Sequence, residues 1–366
     1  MKKFIPIAEP LLNGNELKYV QDCIKTGWIS SRGKYVEEFE KKFSKYCGCR
    51  SGVAVNSGTT ALHLALASLG IKKGDEVIIP SFTMISTAGA VVYTGARPVL
   101  VDAESKTWNI NPDKIEEKIT RNTKAIVPVH IYGHPCEMDK IVDIAKDHDL
   151  YVIEDAAESH GAEYRGRKTG GLGDIGCFSF YGNKILTTGE GGMLVTNNEE
   201  VAETAKLLRD MDFDKRRPYK YIKIGFSYRM SNVQAAIGLA QLERVDKLVK
   251  IRIKNAKIYN SLLSDVKGIT LPPEMDYVKN VYWMYSILIE KDFKVTRDEL
   301  AKILGAKGIM TRRFFFPMHK QPIFSRMFSG RYPVSEELSK KGINLPSAAT
   351  LKADDVKYVV NSVVSC

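Results

Sequence analysis

Cysteine, histidine and long apolar runs are all scarce in this chain of 366 residues. Six cysteines at this length argue against a disulfide scaffold, so we expect free thiols. Cys47 and Cys49 have the local spacing of metal ligands, but no second cysteine or histidine pair completes a tetrahedral site. His130 and His134 are the other pair whose spacing suggests a metal.

The chain also lacks an apolar run long enough to cross a bilayer. No secretory signal is visible either, because the short apolar stretch after Met1 is broken by Pro6. We therefore expect a cytoplasmic protein with no membrane partner. The hydrophobic content of 44% is sufficient for a large core, and the length predicts two domains or lobes.

Short apolar strands and helices alternate through the first two thirds of the chain. The predicted strands are 77–80, 98–102, 125–129, 151–154, 177–180 and 193–196, and the predicted helices are 59–69, 85–93, 138–148 and 200–210. This alternation predicts a mostly parallel sheet with helices on both faces. A long helical region at 232–263, a strand at 281–290 and helices at 297–304 and 353–364 predict a smaller α/β lobe. We place the large domain at 1–250 and the small one at 251–366.

Lys184 follows a predicted strand and precedes a run of small residues at 187–192. A lysine held at a strand end, with no apparent counter-ion in the sequence beside it, suits an imine-forming amine, because desolvation lowers its pKa. The alternative is an ordinary surface lysine, in a chain where lysine is abundant.

Two other strand ends add to this interpretation. Asp155 ends a buried strand, where a carboxylate can face the protonated pyridine nitrogen of pyridoxal phosphate. Ser57, Gly58 and Thr59 join a strand to a helix whose N-terminal amides and hydroxyls can cradle a phosphate. Taken singly, Asp155 and the Ser57 turn are explained as ordinary caps. Three such features in this order are harder to explain as accidents.

These segments, with others, resemble a known family, the pyridoxal-phosphate-dependent nucleotide-sugar aminotransferases of the DegT/DnrJ/StrS type. The resemblance runs from about residue 5 to 343. It is carried by the segments 27–31, 56–59, 80–83, 154–158, 178–180, 228–232 and 317–319, together with Lys184. It implies an α/β protein of fold type I, with a mostly parallel seven-stranded sheet between helices and a smaller C-terminal α/β lobe. The segment holding His130 and His134 then becomes a loop at the active site, and no metal is expected.

The resemblance also implies a role for each matching residue. Lys184 would form the imine with the cofactor and carry protons, and Asp155 would bind the pyridine nitrogen. Glu158 would lie near the phenolic oxygen of the ring. The residues expected to hold the phosphate are Ser57, Gly58, Thr59 and Ser179.

Two positions depart from the pattern of the family. Met84 stands where many relatives place an aromatic ring over the pyridine, and a thioether can also pack on a ring face. Ser227 stands where relatives commonly carry an asparagine that reaches the phosphate of the partner subunit.

Substrate contacts are expected from a further set of residues, namely Trp28, Ser30, Arg229, Arg312 and His319. Arg229 and Arg312 could each hold a carboxylate or a diphosphate through paired donors, or could equally form a structural ion pair. His319 resembles a loop histidine at the mouth of the substrate site, and the alternative for it is a turn residue.

The expected reaction transfers an amino group from L-glutamate to the 4-keto carbon of a nucleotide-linked 6-deoxyhexose, with pyridoxamine phosphate as the cofactor's intermediate form. Lys184 speaks against relatives that dehydrate sugars at carbon 3, which carry histidine there. Segments 180–192 and 282–286 look most like those of members that aminate GDP-4-keto-6-deoxymannose for the O-antigen of lipopolysaccharide. A UDP- or dTDP-linked sugar, or a non-catalytic relative, stays open. We also expect a homodimer with shared active sites, in which segment 215–232 crosses over.

The formal net charge of +11 raises nucleic acid as a partner. The lysines are scattered through helices, and the one compact basic run begins at Lys215 in a loop. That run is either a solvated surface or a positive field that favours a diphosphate substrate. No basic recognition helix is evident, so we do not expect nucleic acid.

Overall fold

The computed structural model describes residues 4–214 and 216–366, so Lys215 of the basic run lies outside the described residues. The helices are α1 (Glu16–Thr26), α2 (Lys34–Tyr46), α3 (Gly58–Ser68), α4 (Ile85–Tyr93), α5 (Met138–Asp147), α6 (Glu199–Arg209), α7 (Asn232–Leu242), α8 (Val245–Leu263), α9 (Arg297–Ala306), α10 (Pro333–Lys341) and α11 (Ala353–Val364). The strands are β1 (Ser51–Val55), β2 (Glu76–Pro80), β3 (Arg97–Val101), β4 (Thr123–Ile126), β5 (Tyr151–Asp155), β6 (Glu163–Tyr164), β7 (Arg167–Lys168), β8 (Ile175–Ser179), β9 (Gly192–Thr196), β10 (Ile269–Thr270), β11 (Val278–Lys279), β12 (Tyr285–Ile289), β13 (Arg312–Arg313) and β14 (Gly342–Leu345). Short 3₁₀ turns lie at Pro112–Lys114, Glu116–Lys118, Ile131–Gly133, Met318–Lys320 and Pro322–Phe324.

The large lobe is built on a seven-stranded sheet in the order β1-β9-β8-β5-β4-β2-β3. Every strand runs parallel to the others except β9, which is antiparallel to both of its neighbours. The mostly parallel seven-stranded sheet expected from the sequence is therefore confirmed. Because β1, β5 and β8 point the same way, their carboxyl ends meet at one edge of the sheet, where ligands bind in open α/β folds.

Alternating side chains along the central strands pack into different cores on the two faces of the sheet. Val77 and Ile79 of β2 pack with α3 and α4, whereas Ile78 between them packs on the opposite face beside Ile141 of α5. Burial on both faces explains why these strands are continuous apolar runs. A third cluster, centred on Phe39 of α2, fills the space between α2, α7 and the β8–β9 part of the sheet.

The small lobe is a four-stranded antiparallel sheet in the order β10-β12-β14-β13, covered by α8, α9 and α11. The N-terminal segment joins this lobe, because Ile5 forms a bridge with Ile309 and belongs to the same apolar cluster. A division at residue 250 falls inside α8, and the two-domain boundary stays a prediction. A three-stranded antiparallel sheet, β11-β6-β7, lies outside both main sheets.

The two largest differences from the expected elements lie at 232–263 and 281–290, and other elements differ by a few residues at their ends, such as β4, which ends at Ile126 where the sequence predicted 129. The helical region at 232–263 is two helices, because Arg244 leaves the helical conformation (φ −132°, ψ 15°) between α7 and α8. Its guanidinium donates hydrogen bonds to Asn13 and to the carbonyl of Leu11 instead. The strand expected at 281–290 begins only at Tyr285, because Tyr282 has a positive φ of 47°.

The cysteines, the membrane and the histidine pair were the subjects of further expectations from the sequence. All six cysteines are free thiols, five of them buried. Among the described residues no helix is both long and apolar enough to cross a membrane. The cytoplasmic location stays a prediction. His130 and His134 are buried, and the His130 ring bonds to the Glu154 carboxylate (3.0 Å) and accepts from the Cys136 amide (3.1 Å).

Candidate active site

A cavity of about 600 Å³ opens at the carboxyl edge of the large sheet, against the small lobe. Nine residues singled out from the sequence line it: Ser57, Gly58, Thr59, Met84, Asp155, Glu158, Ser179, Lys184 and Arg312. They come from the ends of β1, β5 and β8, the starts of α3 and α4, and β13 of the small lobe. Residues that are far apart in the sequence therefore line the same cavity.

The turn between β1 and α3 forms one end of the cavity. Ser57 caps α3 by accepting from the Thr60 amide at 3.2 Å, and the Ser57 amide donates a hydrogen bond to Oγ1 of Thr60 at 3.1 Å. The first-turn amides of Gly58 and Thr59 have no intrahelical acceptor, so this helix end suits an anion. A Cβ on Gly58 would lie 2.6 Å from Cβ of Ser179, which shows how closely the turn approaches β8.

Lys184 lies at the base of the cavity, with its side chain only 10% exposed. Burial lowers its pKa, while the nearby Glu158 and Asp155 carboxylates raise it. The sequence suggested no counter-ion, yet Oε1 of Glu158 is 3.8 Å from Nζ of Lys184, so that part of the expectation is wrong. The carboxylate comes from the loop after β5, 26 residues earlier, where no local pattern links it to Lys184.

Asp155 ends β5 and is 4% exposed. Thr87 of α4 donates a hydrogen bond to its Oδ2 at 2.8 Å, and the Ala157 amide donates to Oδ1 at 3.3 Å. Burial raises the pKa of Asp155, and these two hydrogen bonds and the Lys184 charge act against that rise. A cationic ligand nitrogen beside Asp155 would favour the ionised carboxylate in the same way.

Glu158 is buried beside Lys184 and accepts a hydrogen bond from the Tyr132 amide at 2.8 Å. Burial raises its pKa to about 7, against the opposing effect of the Lys184 charge. A carboxyl group with this pKa can exchange a proton near neutrality.

An aromatic series forms one wall of the site, in which Trp283 and Phe315 come from the small lobe and Tyr132 comes from the expected active-site loop that holds His130 and His134. Trp283, Tyr132 and Phe315 lie in a nearly parallel series, with ring centroids 6.3 Å and 5.3 Å apart in turn. Trp283 and Phe315 line the cavity, and the Trp283 ring centroid is 3.6 Å from Nζ of Lys184. The segment 282–286 is one of two that look most like members that aminate GDP-4-keto-6-deoxymannose, but only the packing of the two lobes brings the Trp283 indole to Lys184.

Trp28 and Ser30 lie elsewhere within this chain. Trp28 lines a separate cavity of about 1020 Å³, between α2 and the end of α6, and its side chain is largely exposed. Its carbonyl accepts from the Asn232 side chain at 2.7 Å, and the Ser30 carbonyl accepts from the Asn232 amide at 2.6 Å. Their expected contacts with substrate stay predictions.

Ser227 and Arg229 also lie away from the Lys184 cavity. Arg229 pairs with Asp210 and donates a hydrogen bond to Oγ of Ser227 at 3.0 Å. Within the single chain Arg229 therefore forms an ion pair, one of the two alternatives that the sequence left open.

His319 lies in a 3₁₀ turn and is held on both sides of its ring. Its Nδ1 is 2.7 Å from Oγ of Ser81, and its Nε2 is 3.0 Å from Oε1 of Glu336. The ring packs on Tyr332, with centroids 4.5 Å apart. His319 is not among the residues that line the cavity, so a place at the substrate mouth stays a prediction.

The DegT/DnrJ/EryC1/StrS aminotransferase family model matches residues 10–364. The chain belongs to this family. Two similar relatives are GDP-perosamine synthases, from Caulobacter vibrioides (47% identical over 357 residues, 97% of this chain and 96% of the relative) and from Escherichia coli O157:H7 (43% over 361 residues, 99% and 98%).

Solved structures of family members superpose on nearly the whole chain. Streptomyces venezuelae DesV has a TM-score of 0.91 and 35% identity, with 96% of this chain and 94% of that one covered. Streptococcus pneumoniae Spr1654, with a TM-score of 0.94 and 26% identity, was solved in a PLP form (99% of this chain and 98% of that one covered) and a PMP form (99% and 97%). The aminotransferase class, the fold and the cofactor, pyridoxal phosphate, that were expected from the sequence are confirmed. The site fits this cofactor, because the cavity combines an anion-binding helix end, a buried carboxylate and a desolvated lysine.

Proposed function

We propose that the chain transfers the amino group of L-glutamate to the 4-keto carbon of GDP-4-keto-6-deoxymannose, giving GDP-perosamine. The observation that carries this proposal is the similarity, at 40 to 47% identity over nearly the whole chain, to three proteins named GDP-perosamine synthase. The cavity supports it, because Lys184, Asp155 and the α3 turn converge on one volume.

The residues of the chain divide the work of the site. Bound pyridoxal phosphate supplies an electron sink for the bonds at the amino-bearing carbon. Lys184 is the attachment point of the cofactor and, when released, the base that takes up and returns a proton at Nζ. Its burial favours the neutral amine that this role needs. Asp155 would face the ring nitrogen and favour its protonated form, and the Gly58 and Thr59 amides with the Ser57 and Ser179 hydroxyls would hold the phosphate.

The face on which Lys184 returns the proton fixes the configuration of the amino sugar. Lys184 reaches the cavity from the loop after β8, while Trp283 and Phe315 close the small-lobe side. Arg312, which lines the same cavity, offers paired donors for a carboxylate or a phosphate of the substrate.

The direct test is a panel of GDP-, UDP- and dTDP-linked 4-keto-6-deoxy sugars, each incubated with glutamate and analysed by mass spectrometry. We expect the amino product from the GDP sugar and 2-oxoglutarate in equal amount. Preference for a UDP or dTDP sugar would move the chain to another branch of the family. Lys184→Ala should abolish turnover. In the wild-type protein, borohydride reduction followed by peptide mapping should place the cofactor on Lys184. A label on another lysine would contradict the assignment.

We further propose that the enzyme is a homodimer whose two sites are shared. Ser227 and Arg229 do not line the cavity of their own chain, and the preceding loop exposes apolar side chains such as Ile222 (75%) and Ile224 (95%). Exposed apolar groups of this kind are typical of a surface that a partner covers. A two-fold axis would carry this loop to the second site.

Mixing two inactive variants tests the shared site. A heterodimer of Lys184→Ala with Arg229→Ala holds one site with both changes and one with neither, so we expect up to about a quarter of the wild-type activity after random exchange. Light scattering measures the assembly independently. A fully active monomer would refute the proposal, and lack of activity after proven exchange would place Arg229 outside the partner's site.

A further inference from the structure

We propose that the Trp283 indole is the resting place of the free Lys184 amine, and that Arg252 is a positioning residue that fixes this indole. The inference rests on the proposed role of Lys184 as attachment point and proton carrier. It assigns functions to two residues of the small lobe for which the sequence predicted no role.

The contact between Trp283 and Lys184 has the geometry of a cation over an aromatic face. Nζ of Lys184 is 3.6 Å from the indole centroid and 3.8 Å from Oε1 of Glu158. The ammonium therefore has an electron-rich ring and the Glu158 carboxylate as neighbours while its side chain is 10% exposed. Two further charged groups of the cavity act on its pKa, since the Asp155 carboxylate raises it and the Arg312 guanidinium lowers it. In a desolvated site a ring face stabilises the charged form of the amine appreciably.

The indole is also tied to the backbone next to the lysine. Its Nε1 donates a hydrogen bond to the Asn183 carbonyl at 2.9 Å, so one edge of the ring is fixed to the residue that precedes Lys184. The hydrogen bond therefore fixes the ring relative to the backbone from which the Lys184 side chain extends.

The backbone of Trp283 is held in an irregular segment before β12. Tyr282 has a positive φ of 47°, and its amide donates to the Asn280 side chain at 2.9 Å. The Val281 amide donates to the Gly133 carbonyl at 3.2 Å. A non-glycine residue in this region of φ is strained, and such strain is retained where the surrounding structure fixes it.

Arg252 of α8 supplies part of that fixation. Its Nη1 donates to the Trp283 carbonyl at 2.9 Å and to the Ser347 carbonyl at 2.7 Å. The side chain is buried, and no carboxylate of the described residues forms an ion pair with it; burial lowers its pKa to about 10. A buried cation without an ion-pair partner is costly, and the two hydrogen bonds from Nη1 to these carbonyls offset part of that cost.

The consequence is a defined position and a defined basicity for the free amine. When Lys184 is not covalently engaged, the indole face and Glu158 hold its ammonium and keep it from swinging across the cavity. The amine then returns its proton from one direction.

The test measures the protonation of Lys184 in the cofactor-free, full-length chain. The rate of reductive methylation of Lys184 by formaldehyde and cyanoborohydride, followed by peptide mass spectrometry over a range of pH, reports the fraction of neutral amine. We expect Trp283→Leu to lower the midpoint by about one pH unit and Trp283→Phe, which keeps a ring, to lower it by less. An unchanged midpoint in Trp283→Leu would overturn the inference.

Arg252 has a control in Arg297, whose Nη1 also donates to two small-lobe carbonyls, those of Ser339 and Gly342, although Arg297 in addition pairs with Asp298. Arg252→Met should lower the Lys184 midpoint in the direction of Trp283→Leu, and Arg252→Lys should partly restore it. Arg297→Met should leave it unchanged. If Arg252→Met does not fold, Arg252→Lys is tested instead. It should lower the midpoint of Lys184 methylation, but by less than Trp283→Leu does.

Equal shifts in the Arg252 and Arg297 variants would show a general loss of stability and overturn the positioning role. A separate experiment shows whether the proposed role of Lys184 itself fails. If it fails, borohydride reduction attaches pyridoxal phosphate to a lysine other than Lys184, and this outcome does not depend on the midpoints of the Trp283 and Arg252 variants.

Discussion

Gly58→Ala adds one methyl group at the closest approach of the phosphate turn to the sheet. The new Cβ would lie 2.6 Å from Cβ of Ser179, 3.1 Å from its Cα and 3.2 Å from its Oγ. Carbon atoms pack best at about 3.5–4.0 Å, so the turn and β8 must separate by about 1 Å. Gly58 is the first residue of α3, and the movement therefore displaces the helix end that faces the cavity.

The expected loss has two components. Overpacking of this kind costs about 1–3 kcal/mol of the free energy of unfolding. Hydrogen bonds to a charged group contribute about 1.5–3 kcal/mol each, so losing one phosphate contact would weaken binding of pyridoxal phosphate roughly 10- to 100-fold. Urea unfolding of the cofactor-free chain measures the first component, and a cofactor titration followed by absorbance measures the second.

Gly305 offers a matched control for the same substitution. It lies inside α9, and a Cβ there would have nothing within 4 Å. Because alanine is the better helix former, Gly305→Ala should raise stability by about 0.5–1 kcal/mol and leave cofactor affinity unchanged.

A double variant separates the contact from other effects. Ser179→Gly removes the Cβ that the new methyl group would meet, so Gly58→Ala should cost less stability in that background than alone. Affinity should recover only in part, because the Ser179 hydroxyl is lost. Strictly additive losses, or a Gly58→Ala protein with wild-type stability and affinity, would refute the reasoning.

Three further predictions concern the carboxylates. Asp155→Asn should keep the cofactor through the α3 turn and lose most turnover, and near wild-type kcat would remove Asp155 from its role. Thr87→Val removes the hydrogen bond to the buried Asp155 carboxylate and should lower the free energy of unfolding by about 1.5–3 kcal/mol in urea melts. The folded chain keeps a proton on Glu158 up to about pH 7, whereas the unfolded chain releases it near the ordinary value of 4.5. The wild type should therefore lose stability relative to Glu158→Gln as pH rises from 4.5 to 7, and equal differences at pH 5 and pH 8 would contradict this.

The parts of the site that the sequence predicted are those encoded locally. Ser57 caps a helix directly after a strand, Asp155 ends an apolar run, and Ser179 ends another. Each signal lies within a few residues of the group that it places. The parallel sheet then brings the three strand ends to one edge, so predicting the strands was nearly sufficient to predict the cradle.

The parts that were missed depend on contacts between distant segments. Thr87 reaches Asp155 from α4, and Trp283 reaches Lys184 from the other lobe. The break at Arg244 has the same origin, because apolar spacing continues through it while contacts with Asn13 and Leu11 fix it. Periodicity describes which face of a helix is buried, but not which residue across the core will hold its end.

Burial alters the pKa values of three ionisable groups of the cavity, and in each case it disfavours the charged form. Burial raises the pKa of Asp155 and Glu158 and lowers that of Lys184, so burial shifts all three groups toward their neutral forms. A ligand with a cationic ring nitrogen at Asp155 and an anionic phosphate at the α3 turn reverses this preference. The low dielectric that opposes the charges of the isolated chain then strengthens their pairing with the ligand. Cofactor binding should therefore stabilise the fold, because only the folded chain brings Asp155 and the α3 turn together to bind the ring nitrogen and the phosphate.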